Sequence, residues 1–216
     1  SDSSGSVLFG ESGLSAGTHY ITGRVTDTDG LYAEDVVLLQ VNGLPTAPEV
    51  ELSPDPAVTS DDLTVAITAD STDPDGDPIS YSYAWYADGV LSTASTSATL
   101  SSADTTKGQI WTVEVIPNDG YSDGPAGSAS VTIDNTAPVL ADVSLAPDPA
   151  TESDTLVCTP GTTTDDDGDA VTYSVSWDVS GTDPGVTDAE LSGDYFAKGD
   201  TIFCTVTPSD DEVSGD

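Results

Sequence analysis

Basic residues are almost missing from this chain. Arg24, Lys107 and Lys198 stand against 39 aspartates and glutamates, for a formal net charge of −36. Phosphate backbones and anionic lipid surfaces both need a basic face, so nucleic acid and direct membrane contact are excluded as partners. The charged partners left are cations. Methionine is absent, which marks an excised or mature segment. No apolar run approaches the length of a membrane span, and no signal peptide is visible. Histidine occurs once, at His19, alone on an alternating stretch. It reads as a solvent-facing side chain and leaves no base for a hydrolytic triad. Aromatic residues are 6% of the chain, in keeping with many short strands and turns and not with helices.

What is present is glycine, proline, serine, threonine and aspartate, the profile of short strands joined by turns. High acidity alone also suits a salt-adapted or merely soluble surface. Those explanations spread the acids evenly, whereas here they gather in a few loops. The most concentrated is Asp73-Pro74-Asp75-Gly76-Asp77, which returns as Asp165-Asp166-Asp167-Gly168-Asp169. Each copy sets three carboxylates at alternate positions around a glycine turn. Like charges at that spacing repel unless a cation sits among them.

These loops belong to a longer repeat. Thr46-Ala47-Pro48 matches Thr136-Ala137-Pro138, and Pro54-Asp55-Pro56-Ala57 matches Pro147-Asp148-Pro149-Ala150. Trp85 matches Trp177, and Lys107-Gly108 matches Lys198-Gly199. The common interval of about 90 residues is that of a small β-sandwich. Gly17 to Gly30 aligns only with the back half of that repeat, Gly108 to Gly120. The expected domains are therefore 1–43, the C-terminal half of one; 44–135, a complete one; and 136–216, one lacking its last strand. Both ends read as cut from a longer array.

Alternation predicts strands at Tyr20–Thr26, Glu34–Val41, Glu49–Leu52, Leu63–Thr68, Ile79–Tyr86, Ser97–Leu100, Ile110–Ile116 and Ser128–Ile133, with an earlier one at Val7–Phe9. Leu63, Val65, Ile67, Trp85, Trp111, Val113 and Val115 fall on inward faces. The proline pair at 54 and 56 confines its segment to a sheet edge. In the last repeat Leu156, Cys158, Val171, Tyr173, Val175, Trp177, Ile202, Cys204 and Val206 take the matching positions. Cys158 aligns with Val65 and Cys204 with Val113, both core positions. A cysteine pair there, with a tryptophan between, is the immunoglobulin arrangement. A Cys158–Cys204 disulfide is expected, and with it an oxidising, extracytoplasmic location. No CxxC pair or nearby histidine favours a metal site or a catalytic thiol.

The chain resembles the bacterial Ig-like and PKD-type tandem repeats of large secreted and surface proteins. The residues that carry the resemblance are Asn135-Thr136-Ala137-Pro138, the Asp-Pro-Asp-Gly-Asp loop, the tryptophans at 85 and 177, and Lys-Gly before the penultimate strand. The first segment, with Val25-Thr26-Asp27-Thr28-Asp29-Gly30, is closer to the PKD pattern. The resemblance implies an all-β fold of tandem Ig-like antiparallel sandwiches with Greek-key connections, strung as an elongated rod.

In such a sandwich the B–C and F–G loops emerge at the end that receives the preceding linker. Asp73, Asp75 and Asp77 should then lie near Asn118 and Asp119, with Asn42 approaching from the linker. Asp165, Asp167 and Asp169 should gather with Asp210, Asp134 and Asn135. Hard oxygen donors on a short loop suit calcium. The arrangement is similar to the junctional calcium of cadherins, although the cadherin linker motif is absent. It is not an EF-hand: glycine comes fourth in the loop, and Ala84 or Ser176 stands where the closing glutamate belongs. Asp61, Asp62 and Asp104 fall at the opposite end of the domain.

No serine, histidine and aspartate set, phosphate loop or paired carboxylates in a cleft appears, so no catalysis is expected. The functional expectation is a structural segment of an extracellular fibre, stalk or adhesin on a bacterial surface, rigidified by calcium. Its partners would be neighbouring Ig-like domains, or further copies of itself paired through open strand edges in a homopolymer. The alternative is a module binding a glycan, a protein or another cell-surface ligand, or a spacer of a secreted hydrolase. The binding module needs Tyr83, Trp85 and Trp111 exposed.

Overall fold

The computed structural model describes residues 13–215; the expected strand at Val7–Phe9 lies outside them. The described chain is all-β, with only two short 3-10 turns, Ser102–Asp104 and Gly193–Tyr195, each capped by the preceding serine. Strands β1 (Gly17–Thr26) and β2 (Tyr32–Val41) form a hairpin. Then come β3 (Glu49–Ser53), β4 (Ala57–Val58), β5 (Leu63–Ala69), β6 (Ser80–Ala87), β7 (Val90–Ser92), β8 (Thr99–Leu100), β9 (Ile110–Asn118) and β10 (Gly127–Asp134). The rest of the chain supplies β11 (Val139–Leu140), β12 (Val143–Ala146), β13 (Leu156–Pro160), β14 (Thr163–Thr164), β15 (Thr172–Val179), β16 (Glu190–Leu191) and β17 (Ile202–Ser209).

The middle strands form a three-stranded sheet, β3-β5-β8, and a five-stranded one, β4-β10-β9-β6-β7. Pro54 and Pro56 separate β3 from β4, a short strand that alternation did not predict. Neither proline can donate to a ladder, so β3 ends at Ser53 and the chain resumes as β4, parallel to β10. Both pieces are edges, as expected. The short strand β7, which alternation did not predict, follows the tight turn at Asp88 and Gly89, both at positive φ.

Two compact units interleave along the middle of the chain. One gathers the described residues up to Leu52 with Thr64–Thr99 and Thr112–Ser130. Its buried side chains include Val65, Trp85, Val113 and Val115. The Trp85 indole is satisfied by donating to the Ser97 carbonyl at 2.9 Å. In the same unit the β1–β2 hairpin leaves Tyr20, Val25, Tyr32, Val37 and Leu38 exposed. The other unit gathers Ser53–Leu63, Leu100–Trp111 and the chain from Val131 on. Ala57, Leu63, Leu100, Trp111 and Ile133 are buried within it.

The same unit holds a second apolar cluster of Leu156, Cys158, Trp177, Leu191 and Val206. Around it β12-β13-β16 form one sheet and β15-β17 another. The disulfide expected from the alignment of the cysteines with Val65 and Val113 joins β13 to β17, Cys158 to Cys204, with Cα atoms 6.2 Å apart. Cys204 is paired in register with Trp177. The Trp177 indole donates to the Asp188 carbonyl, repeating the pattern at Trp85.

Valines hold the same two core positions at 65 and 113. We therefore expect Cys158→Val with Cys204→Val to fold, while losing up to about 4 kcal/mol from loop-closure entropy. Chemical denaturation without reductant measures this.

Candidate functional site

Each aspartate loop is folded by its own first residue. Asp73 Oδ1 accepts the backbone N–H groups of Asp75 and Asp77, at 2.8 and 3.2 Å. Asp165 Oδ1 accepts those of Asp167 and Asp169, both at 3.0 Å. Gly76 and Gly168 take positive φ, which lets the turn reverse within five residues. The alternate side chains consequently point to one side. Asp73, Asp75 and Asp77 bring one carboxylate oxygen each to within 4.8 Å of one another, and so do Asp165, Asp167 and Asp169. Within these clusters Asp73 Oδ2 and Asp165 Oδ2 are buried and accept no hydrogen bond. A buried carboxylate oxygen without a partner is costly.

The linkers bind these loops in the same way twice. Gly43 N–H donates to Asp75 Oδ2 at 2.7 Å, and Thr136 N–H donates to Asp167 Oδ2 at 2.7 Å. Asn42 Nδ2 donates to Asp119 Oδ2 at 2.9 Å; Asn135 Nδ2 donates to Asp210 Oδ2 at 2.6 Å. Asp119 and Asp210 are themselves buried, at 2% and 5% exposure. Their other oxygens cap the following turns, on Tyr121 and Ser122 in one case and Glu212 and Val213 in the other. Both oxygens of each thus accept hydrogen bonds, and they tie linker to loop. Gly43 cannot be replaced freely, because a Cβ there would lie 2.7 Å from the Ala16 Cβ and 3.0 Å from Pro74 Cγ.

Electrostatics follow these partners. The Asn42 amide, followed by the Ser122 and Tyr121 N–H groups, holds the Asp119 carboxyl below the usual carboxylate range. The Val213 N–H and then Asn135 do the same for Asp210. Asp77 moves the other way: burial raises it first, and the charges of Asp73, Asp75 and Asp119 add to that.

Two expected members lie apart. Asn118 gives its amide to Asp123 and its oxygen to Gly120 N–H, staying within its own hairpin. Asp134 is exposed at the end of β10, and it is its carbonyl that is used, accepting from Thr59 at 3.4 Å. Asp61 and Asp62 accept from Val58 N–H and Ser102 N–H, serving as turn caps. What sequence reasoning missed is Lys107. Its ammonium donates to Asp169 Oδ2 at 2.5 Å, Glu212 Oε1 at 2.8 Å and Asn135 Oδ1 at 3.0 Å. These contacts push its pKa up, Asp169 foremost. Thr59 also donates to Asp167. The available signal was the recurrence of Lys-Gly at 107 and 198, which marked the repeat without revealing a role.

No family model and no curated protein matches the chain. Among solved structures, a crystal structure of the FN1–FN3 domains of chicken CNTN1 is similar, with 15% identity, 89% of this chain and 73% of that chain covered, and a TM-score of 0.34.

Because Asp119 is held low in the folded state, its contribution is present above the unfolded carboxylate range and is lost as pH falls through the folded value. Asp119→Ala should lower Tm by several degrees at pH 7, with the gap to the unsubstituted chain closing below about pH 4. Thermal melts across that pH range check it.

Proposed function

We propose that the chain is a structural segment of an extracellular fibre, stalk or adhesin of the bacterial Ig-like and PKD-type kind, and that calcium at its aspartate loops stiffens the attachment of linker to loop. The observation that carries this reading is the pair of buried, unpartnered oxygens, Asp73 Oδ2 and Asp165 Oδ2, each inside a convergence of three carboxylates. The donor set fits the ion: calcium takes several hard oxygens in flexible geometry. Asp73, Asp75 and Asp77 would hold it in one loop, and Asp165, Asp167 and Asp169 in the other. The bound charge would offset the repulsion that raises Asp77. Asp75 and Asp167 each accept a linker N–H, so fixing these carboxylates also fixes the linker.

The disulfide supports an oxidising location for this segment. Burial of Trp85 and Trp111 removes them from any glycan-stacking surface, which favours the structural reading over the binding module. The role we assign is non-catalytic, with neighbouring Ig-like domains as the immediate partners.

Calorimetry of the full chain with calcium and with chelator tests the proposal. Calcium at a hundred times its dissociation constant should add about 2.7 kcal/mol of stability per equivalent site. Replacing Asp73 and Asp165 together by asparagine should abolish the increment. A melting temperature indifferent to calcium in the unsubstituted chain would sink the reading.

A further inference from the structure

The two aspartate loops share their turn, their linker N–H and their linker asparagine, and they differ in one charged partner. In the second loop the Lys107 ammonium sits on Asp169, Glu212 and the Asn135 amide oxygen. In the first, the residue aligned with Lys107 is Ala16, followed by Gly17 as Lys107 is followed by Gly108. The structure confirms the correspondence. Ala16 lies against the linker at Gly43, beside Pro74 of the loop, and the Gly17 backbone approaches Asp75. Among the described residues no ion pair reaches Asp73, Asp75 or Asp77. Arg24 is engaged with Glu34 and the Tyr32 ring on its own hairpin.

We infer that Lys107 is a tethered counter-ion beside the second loop, and that the two loops therefore divide into a tight calcium site at Asp73–Asp77 and a weaker one at Asp165–Asp169. The inference rests on the calcium reading above and deepens it. An ammonium and a divalent cation drawn to the same carboxylates repel each other. Lys107 sits on the Asp169 carboxylate, one of the three that calcium would use, so an ion entering the second loop must either displace the lysine or bind beside its charge. The first loop sets no such competitor against the ion. At equal donor sets this favours the first loop by about tenfold or more. It also assigns Lys107, one of only three basic residues in the chain, to a place where its charge is matched.

Titration of the full chain with calcium, followed by isothermal calorimetry, tests this with five proteins. The unsubstituted chain should show one tight site, lost in Asp75→Asn and kept in Asp167→Asn. Lys107→Met should gain a second tight site, its dissociation constant falling about tenfold or more. Ala16→Lys should weaken the first site by a similar factor. Melting in chelator gives a readout that does not need metal: Lys107→Met should melt below the unsubstituted chain, and calcium should restore it. Two equal sites in the unsubstituted chain, or a second site indifferent to Lys107→Met, would overturn the division while leaving the calcium reading intact. No calcium binding by any of the proteins would overturn both.

Discussion

Carboxylate crowding is the constraint around which this chain is arranged. Three aspartates spaced two apart around a glycine turn must place their charges within a few ångströms of one another. The fold answers with donors of several kinds. Backbone N–H groups of the loop take one oxygen of the leading aspartate. The linker gives one N–H to the middle aspartate. An asparagine before it holds a buried aspartate of the neighbouring hairpin. Linker conformation and loop charge are consequently one problem. Whatever neutralises the loop also fixes the peptide that enters the domain.

The donors do not exhaust the demand. One oxygen of the leading aspartate remains buried and unpartnered in both loops, and Asp77 is held toward its neutral form by burial and by its neighbours. A dipole donates one hydrogen to one lone pair, whereas a cation is shared among all three carboxylates. That difference is why a charged partner completes such a site where hydrogen bonds cannot. Lys107 supplies part of the answer in the second loop. Its flexible stem carries a point charge that reaches three acceptors at once.

The sandwich supporting these loops was largely legible in advance. Strict alternation placed Trp85, Trp111, Val113 and Val115 on inward faces, and all are buried. The repeat placed Cys158 and Cys204 opposite each other, and they are bonded. Strand boundaries were less legible. Beyond the prolines at 54 and 56 the chain forms β4, in a different sheet from β3, and β4 and β7 are too short to show a period. Local propensity says little about two-residue strands such as β8 or β16, which exist because a neighbour offers a ladder.

For the site, sequence spacing by itself determined the three-carboxylate turn, since the Asp-x-Asp-Gly-Asp pattern closes through local hydrogen bonds within five residues. It also determined the disulfide and the buried tryptophans, through a two-residue period and a repeat interval. Asn42, Asp119, Asn135 and Asp210 were expected beside the loops; only the tertiary structure decided which contacts they make there. Asp119 and Asp210 came in as linker anchors, while Asn118 and Asp134 turned elsewhere. Lys107 lies 62 positions from Asp169 along the chain, and no local pattern joins the two. Contacts of that range depend on how strands stack and where loops emerge, and neither is written in the local order of side chains.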